Sequence, residues 1–273
     1  MSTQASQGTA LITGASSGMG SVYANRLGQR GYDLILAGRD RERLEALAAK
    51  LRETGRTVDI VAGDLGKKAD VKEIEQRLVT DAAITLFVNN AGQNAVAPLI
   101  ESDLEKLEQM IEVNVLAFTR LAAAAAKAFV RRGSGTIINI SSAVALAPEM
   151  LNAAYNGSKA YVLNFTQSMQ NELAGKGVQV QAVLPGAVGT EFWARGGLPL
   201  EHLPKQIVMS AEAAVDAALA GLDQGELVTI PSLPDVQNWD AFIAARKVLR
   251  PNLSLAQPAA RYLQPASRAP SRP

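Results

Sequence analysis

Apolar residues recur along this chain in two alternating rhythms. Short, largely unbroken apolar runs appear at TALIT (9–13), DLILA (33–37), VDIVA (58–62), ITLFVNN (84–90), GTIINIS (135–141), VQVQAVLP (178–185) and ELVTIP (226–231). They are β-branched and show little polar alternation, the pattern of strands buried on both faces of a parallel sheet. Longer amphipathic stretches separate them, at 18–31, 39–55, 67–80, about 102–132, about 152–175 and about 210–223. In 39–55, Leu44, Leu47 and Leu51 share one helical face and a glycine follows as a stop. The connections are too long for hairpins, so right-handed crossovers follow. The predicted fold is α/β: a doubly wound, mostly parallel sheet of about seven strands with helices on both faces.

No composition break marks a second domain, so residues 1–263 are expected to form one domain. The least regular internal stretch, 190–209, follows a strand end, where ligands bind in such sheets. The proline- and serine-rich end, 264–273, reads as a disordered tail. The net charge of +1 supplies no strong field for nucleic acid or anionic membranes. There is no cysteine, which excludes disulfide and thiolate chemistry. The N-terminus lacks a signal-peptide pattern, and the run LAAAAAKAFV is broken by Lys127 and followed by Arg131 and Arg132. The expectation is a cytoplasmic protein with no membrane and no nucleic-acid partner.

Gly14, Gly18 and Gly20 lie between the first strand and the first helix. A tight turn, a close backbone approach to a pyrophosphate and close helix–sheet packing each need such a residue, and a helix N-terminus would face the phosphates. The spacing is G-x-x-x-G-x-G rather than G-x-G-x-x-G. At the end of the second strand, where an acid would favour NAD, the chain has Gly38 followed by Arg39. A guanidinium there favours the 2′-phosphate of NADP(H), with NAD(H) as the alternative. Asp40 is close enough to neutralise Arg39, and Arg39 could instead merely open the charged helix RDRER.

Taken in order, TGASSGMG (13–20), GDL (63–65), NNAG (89–92), NV (114–115), NISS (139–142), YNGSK (155–159) and PGAVGT (185–190) resemble the short-chain dehydrogenases/reductases, in their compact single-domain branch. The resemblance covers about residues 8–231. It implies a Rossmann-like sheet and hydride transfer between a nicotinamide and a small carbonyl or alcohol substrate. It implies cofactor contacts from Gly14, Ser16, Ser17, Gly18, Met19 and Gly20, and from Arg39. Asp64 and Leu65 would lie at the adenine, and Asn90, Ala91 and Gly92 beside the ribose. Pro185, Gly186, Val188 and Thr190 would flank the nicotinamide. Asn89 would brace the central sheet, and Asp64 is equally suited to cap the helix after it. The long helices at about 102–132 and 152–175 resemble those that pair subunits in this family, so a homodimer or homotetramer is expected.

The residues also make chemical sense. Reducing a ketone requires a proton at oxygen, and a free tyrosine has a pKa near 10. Tyr155 and Lys159 lie one helical turn apart, so the lysine can stabilise the phenolate electrostatically and bond the nicotinamide ribose. Both would thus also serve the cofactor. Ser142 occupies the family's catalytic serine slot and would polarise the carbonyl, with Ser141 as the competing candidate facing the other way. Asn114 matches the asparagine whose helix departs from regular geometry and whose carbonyl binds a relay water. Gly157 replaces the more usual alanine, for closer helix packing or a closer approach near the cofactor. Asn156 and Ser158 have no part in the proton chemistry.

His202 is the only histidine, so metal clusters and serine-hydrolase triads have no support. Phe192, Trp193 and Leu198 are read as an apolar lid over the substrate. Glu149, Met150 and Asn152 are placed near it, and Trp239 and Phe242 in the core or a subunit contact. The competing functions are a catalytically silent NADP-sensing protein and an isomerase or epimerase using transient hydride transfer.

Overall fold

The computed structural model describes residues 7–263, and the expected tail at 264–273 lies outside them. The chain divides into two compact units between Ser232 and Leu233. The first contains the strands β1 (Thr9–Thr13), β2 (Asp33–Gly38), β3 (Val58–Ala62), β4 (Ile84–Asn89), β5 (Gly135–Ile140), β6 (Val178–Val183), β7 (Ala187–Val188), β8 (Val208–Met209) and β9 (Val228–Thr229). Its helices are α1 (Gly18–Gln29), α2 (Arg41–Arg52), α3 (Lys68–Thr80), α4 (Leu104–Ile111), α5 (Phe118–Arg132), α6 (Ala153–Glu172), α7 (Phe192–Arg195) and α8 (Ala211–Asp223).

Seven strands form one sheet in the order β3-β2-β1-β4-β5-β6-β9, with every pairing parallel. The order reverses between β1 and β4, which opens a crevice at their C-terminal ends. One face packs Tyr23 and Leu27 of α1, Leu44 and Leu51 of α2 and Leu219 of α8 onto the sheet. The other packs Ile74 and Leu78 of α3, Leu121 and Phe129 of α5 and Met169 of α6. The apolar strand runs are therefore covered on both sides, as their lack of alternation requires. The run Leu104–Arg132 is long and apolar enough to cross a membrane, but 56% of its most apolar window is buried inside the protein.

Two predicted elements differ from the sequence pattern. The helix expected over about 102–132 is interrupted by a π-helical segment, Glu112–Ala117, between α4 and α5. The edge strand expected at 226–231 narrows to two residues. The irregular stretch at 190–209 contains α7 and the strand β8, which pairs in parallel with β7.

The second unit contains α9 (Val236–Leu249) and short turns at Arg250–Asn252 and Ala260–Tyr262. Trp239 and Phe242 meet there at 5.5 Å between ring centroids, yet α9 buries no residue. Neither ring is a core residue: Trp239 is half-buried and Phe242 stays 47% exposed.

Candidate active site

Thr13, at the end of β1, ties the loops of the crevice together. Its hydroxyl accepts hydrogen bonds from the N–H groups of Asn90 (3.0 Å) and Ala91 (3.1 Å), and its carbonyl accepts one from Asn90 Nδ2 (2.9 Å). Gly14 and Gly18 have φ of 68° and 56°, a region that side chains disfavour. Gly20 is needed for space: a Cβ there would overlap the carbonyl of Gly14. Its tight contact is thus inside the loop, not between helix and sheet as its position predicts. Ser17 is the N-cap of α1 and makes no side-chain capping bond. The first N–H groups of a twelve-residue helix therefore remain available to an anion.

A cavity of about 950 Å³ extends from this loop. Gly14, Ser16, Ser17, Gly18, Met19, Arg39, Asp64, Leu65, Asn90, Ala91, Gly92, Ser142, Tyr155, Lys159, Pro185, Gly186, Val188 and Thr190 all line it. Of the predicted catalytic and cofactor-binding residues, only Gly20 and Asn114 stand behind the wall. Asp64 accepts from the N–H of Gly66 (3.0 Å), so it closes its own turn and does not cap α3, whose N-cap is Lys67. Asn89 is buried and donates to the Phe118 carbonyl (3.1 Å), a brace between β4 and α5.

Asp40 does not neutralise Arg39. Its carboxylate caps α2 by accepting from Arg43 N–H (3.0 Å) and lies 3.3 Å from Arg43 Nε. Arg39 precedes α2 and lines the cavity with no ion-pair partner among the described residues.

Both serine candidates line the cavity, but their hydroxyls bond differently. Ser141 Oγ donates to the carbonyl of Lys159 (2.7 Å), a structural bond that pins α6 to the end of β5. Ser142 Oγ donates to the Pro185 carbonyl (3.4 Å) and accepts from Val144 N–H (3.4 Å), and the residue lines the cavity with Tyr155. Burial holds the Tyr155 phenol well above its ordinary pKa, and the neighbouring Ser142 hydroxyl opposes this. Lys159 is buried too, and desolvation lowers its ammonium to about 8. Its Nζ donates to the Ile140 carbonyl (3.1 Å) and lies 5.9 Å from the centre of the Tyr155 ring. Asn114 sits in the π segment. Its side chain exchanges two bonds of 2.8 Å with the backbone of Gln93 and donates to Ser158 Oγ (3.2 Å). Gly92 fits beside it because a Cβ would come within 3.3 Å of Asn114 Oδ1 and 3.5 Å of Lys159 Nζ.

Residues 8–197 match the family described as short chain dehydrogenase. The chain belongs to that family. It is similar to a short-chain dehydrogenase from Sphingobium yanoikuyae solved in complex with NADPH, at 46% identity over 93% of this chain and 99% of that one, with a TM-score of 0.91. It is also similar to a bulky-bulky ketone specific alcohol dehydrogenase from Comamonas testosteroni, at 41% identity over 94% and 99%, with a TM-score of 0.87. A diacetyl reductase [(S)-acetoin forming] from Staphylococcus epidermidis is 34% identical over 68% of this chain and 74% of its own. The protein is an NAD(P)-dependent dehydrogenase/reductase. The residues of its cavity fit such a cofactor: an uncapped helix start faces glycines without side chains, and a free guanidinium stands at the end of β2.

Apolar side chains line much of the rest of this dehydrogenase's cavity, beside Gln93, Arg195, Gln206 and Ser232. Phe192 and Trp193 line it as the lid reading expects, but Leu198 does not. Met150 lines it, whereas Glu149 does not. Asn152 lies behind the wall as the N-cap of α6. It accepts from Ala154 N–H (2.8 Å) and donates to the Ala97 carbonyl (2.6 Å) and Ser102 Oγ (3.0 Å). Val144, Leu151 and Ile207 complete a wall that sequence reading missed, since single apolar loop residues carry no pattern. Asn156 and Ser158 were also undervalued. Both are buried: Asn156 holds the 148–151 loop through the carbonyls of Pro148 (2.8 Å) and Leu151 (3.2 Å), and Ser158 braces Asn114. Their signal was available, because a polar residue on the inward side of a helix needs a partner. His202 is exposed, and among the described residues no group of acids and histidines could hold a metal.

Proposed function

We propose that this chain is an NADP(H)-dependent ketone reductase and secondary alcohol dehydrogenase that accepts bulky, apolar carbonyl substrates. The observation that carries the reading is the meeting of Ser142, Tyr155 and Lys159, all buried, with a cavity wall of Val144, Met150, Leu151, Phe192, Trp193 and Ile207. These six side chains carry no charge and favour an uncharged, hydrophobic substrate. The bulky-bulky ketone specificity of the Comamonas testosteroni relative supports the same class. Arg39, without an ion-pair partner among the described residues, supports NADP(H) over NAD(H), as does the NADPH-bound Sphingobium yanoikuyae relative.

When bound, NADP(H) gives or takes the hydride. The glycine loop and Arg39 hold its phosphates, Asp64 and Leu65 its adenine, and Val188 and Thr190 its nicotinamide end. Ser142 holds the substrate oxygen. Tyr155, kept protonated by burial, donates its proton to that oxygen as charge develops there, and takes one back in the oxidative direction. Lys159 offsets the phenolate, and the π turn around Asn114 holds the water through which the proton is replaced. The same reading includes a cytoplasmic homo-oligomer.

The test is NADPH oxidation with a panel of ketones graded from small aliphatic to diaryl. Turnover should rise with apolar bulk, and Tyr155→Phe should lower kcat by about 10²–10⁴-fold while NADPH binding persists. Tight NADPH binding with no turnover on any member would leave a binding protein instead.

A further inference from the structure

The segment carrying Phe192 and Trp193 is fastened at its polar edge by contacts that the chemistry above does not use. Glu191 binds Arg43 of α2 through both oxygens, at 3.0 and 2.8 Å from Nη1. The same carboxylate accepts from Arg195 Nη2 at 2.6 Å, and that nitrogen also lies 3.4 Å from Ser17 Oγ in the glycine loop. Thr190 closes the same approach, since a Cβ on Gly18 would meet its methyl group at 3.1 Å. On the other flank Gly196 lies so close to Asn94 that a Cβ would overlap that side chain. The segment is thus held at α2, at the glycine loop and at the loop after β4. Ser17, Gly18, Thr190 and Arg195 all line the cavity, so these fastenings cross the part of it that the uncapped start of α1 faces.

We propose that Arg43, Glu191 and Arg195 form an ionic clasp that holds this segment closed over the glycine loop, so that opening the clasp governs release of the dinucleotide. Glu191 is the shared member: removing its charge breaks both of its arginine pairs at once and leaves Arg43 with Asp40 alone. It acts as a positioning residue, since it touches the strap and not the reacting atoms. All three side chains are about half exposed, so the pairs are screened by salt and open readily. A strap of this strength slows exchange without locking the site. The proposal rests on the cofactor reading above.

The test is stopped-flow displacement of NADPH, read by its fluorescence, for the wild type, Glu191→Gln, Arg43→Ala and the double variant. Glu191→Gln is isosteric at an exposed position, so folding is not at risk. Its off-rate should rise about three- to tenfold, the double variant should add little, and about 1 M salt should bring the wild type toward the variant. A second readout needs no cofactor: trypsin should cut after Arg195 or Lys205 faster in Glu191→Gln than in the wild type. Unchanged off-rates and unchanged cleavage with NADPH still bound overturn the clasp alone. A wild type that binds no NADPH overturns the cofactor reading, and the clasp with it.

Discussion

At the scale of single residues, burial rather than spacing gives the site its character. Lys159 illustrates this. Desolvation lowers its pKa from 10.5 to about 8, so the folded protein binds fewer protons than the unfolded chain between those values. Stability therefore rises with pH across that window, and the full cost of burying the charge is present below it. The size is on the order of 3 kcal/mol. Urea denaturation of wild type against Lys159→Met should show the variant's advantage shrinking from pH 8 to pH 10.5; a constant difference would contradict the burial argument. Gly157 is the opposite case. It is exposed, and a Cβ there meets nothing within 4 Å, so neither packing within the chain nor approach to the cofactor explains it. Gly157→Ala should leave kcat and KM for NADPH and ketone unchanged, within about twofold, since the added methyl reaches no site residue.

Among the elements, three termini converge on the crevice: the end of β1, the start of α1 and the start of α6. The turn between β1 and α1 folds onto itself at Gly20, where the Gly14 carbonyl occupies the space of a side chain. That neighbour is backbone and cannot swing aside. Gly20→Ala should cost about 2–4 kcal/mol in urea denaturation and weaken NADPH binding in titration, whereas wild-type values for both would show that the loop relaxes freely. The start of α6 is set by Asn152, which caps the helix and ties it to the loop after β4. The π segment at Glu112–Ala117 sets Asn114, whose side chain then clamps Gln93. Neither device has a periodic signature, so helix patterning over 102–132 does not show the π turn, which only the family resemblance at Asn114 anticipates.

For the whole molecule, the sheet with its two helical layers accounts for most of the buried apolar surface, but some apolar residues on the long helices remain outside. Leu104 (75%) and Leu116 (54%) stay exposed, as does Tyr161 (37%), one turn beyond Gly157 on α6. Exposed apolar residues on these helices support pairing with a second copy. Light scattering should therefore report a dimer or tetramer. A monomeric wild type would remove the oligomer from the reading.

The sequence alone determined the β-α order, the doubly wound sheet and the place of the glycine loop, while Ser142, Tyr155 and Lys159 were singled out by the family resemblance of their motifs. The fold follows from local rules: hydrophobic period and backbone freedom are properties of neighbours along the chain. The sequence could not show what Ser141 bonds, nor what Asp40 neutralises, nor the apolar wall or the Arg43–Glu191–Arg195 clasp. Arg43 and Glu191 are 148 positions apart, and Ser141 meets Lys159 across two elements. Such pairs exist only once the strands have stacked and the crossovers have brought their ends to one edge, because hydrogen bonds and ion pairs depend on distance in space and not on distance along the chain.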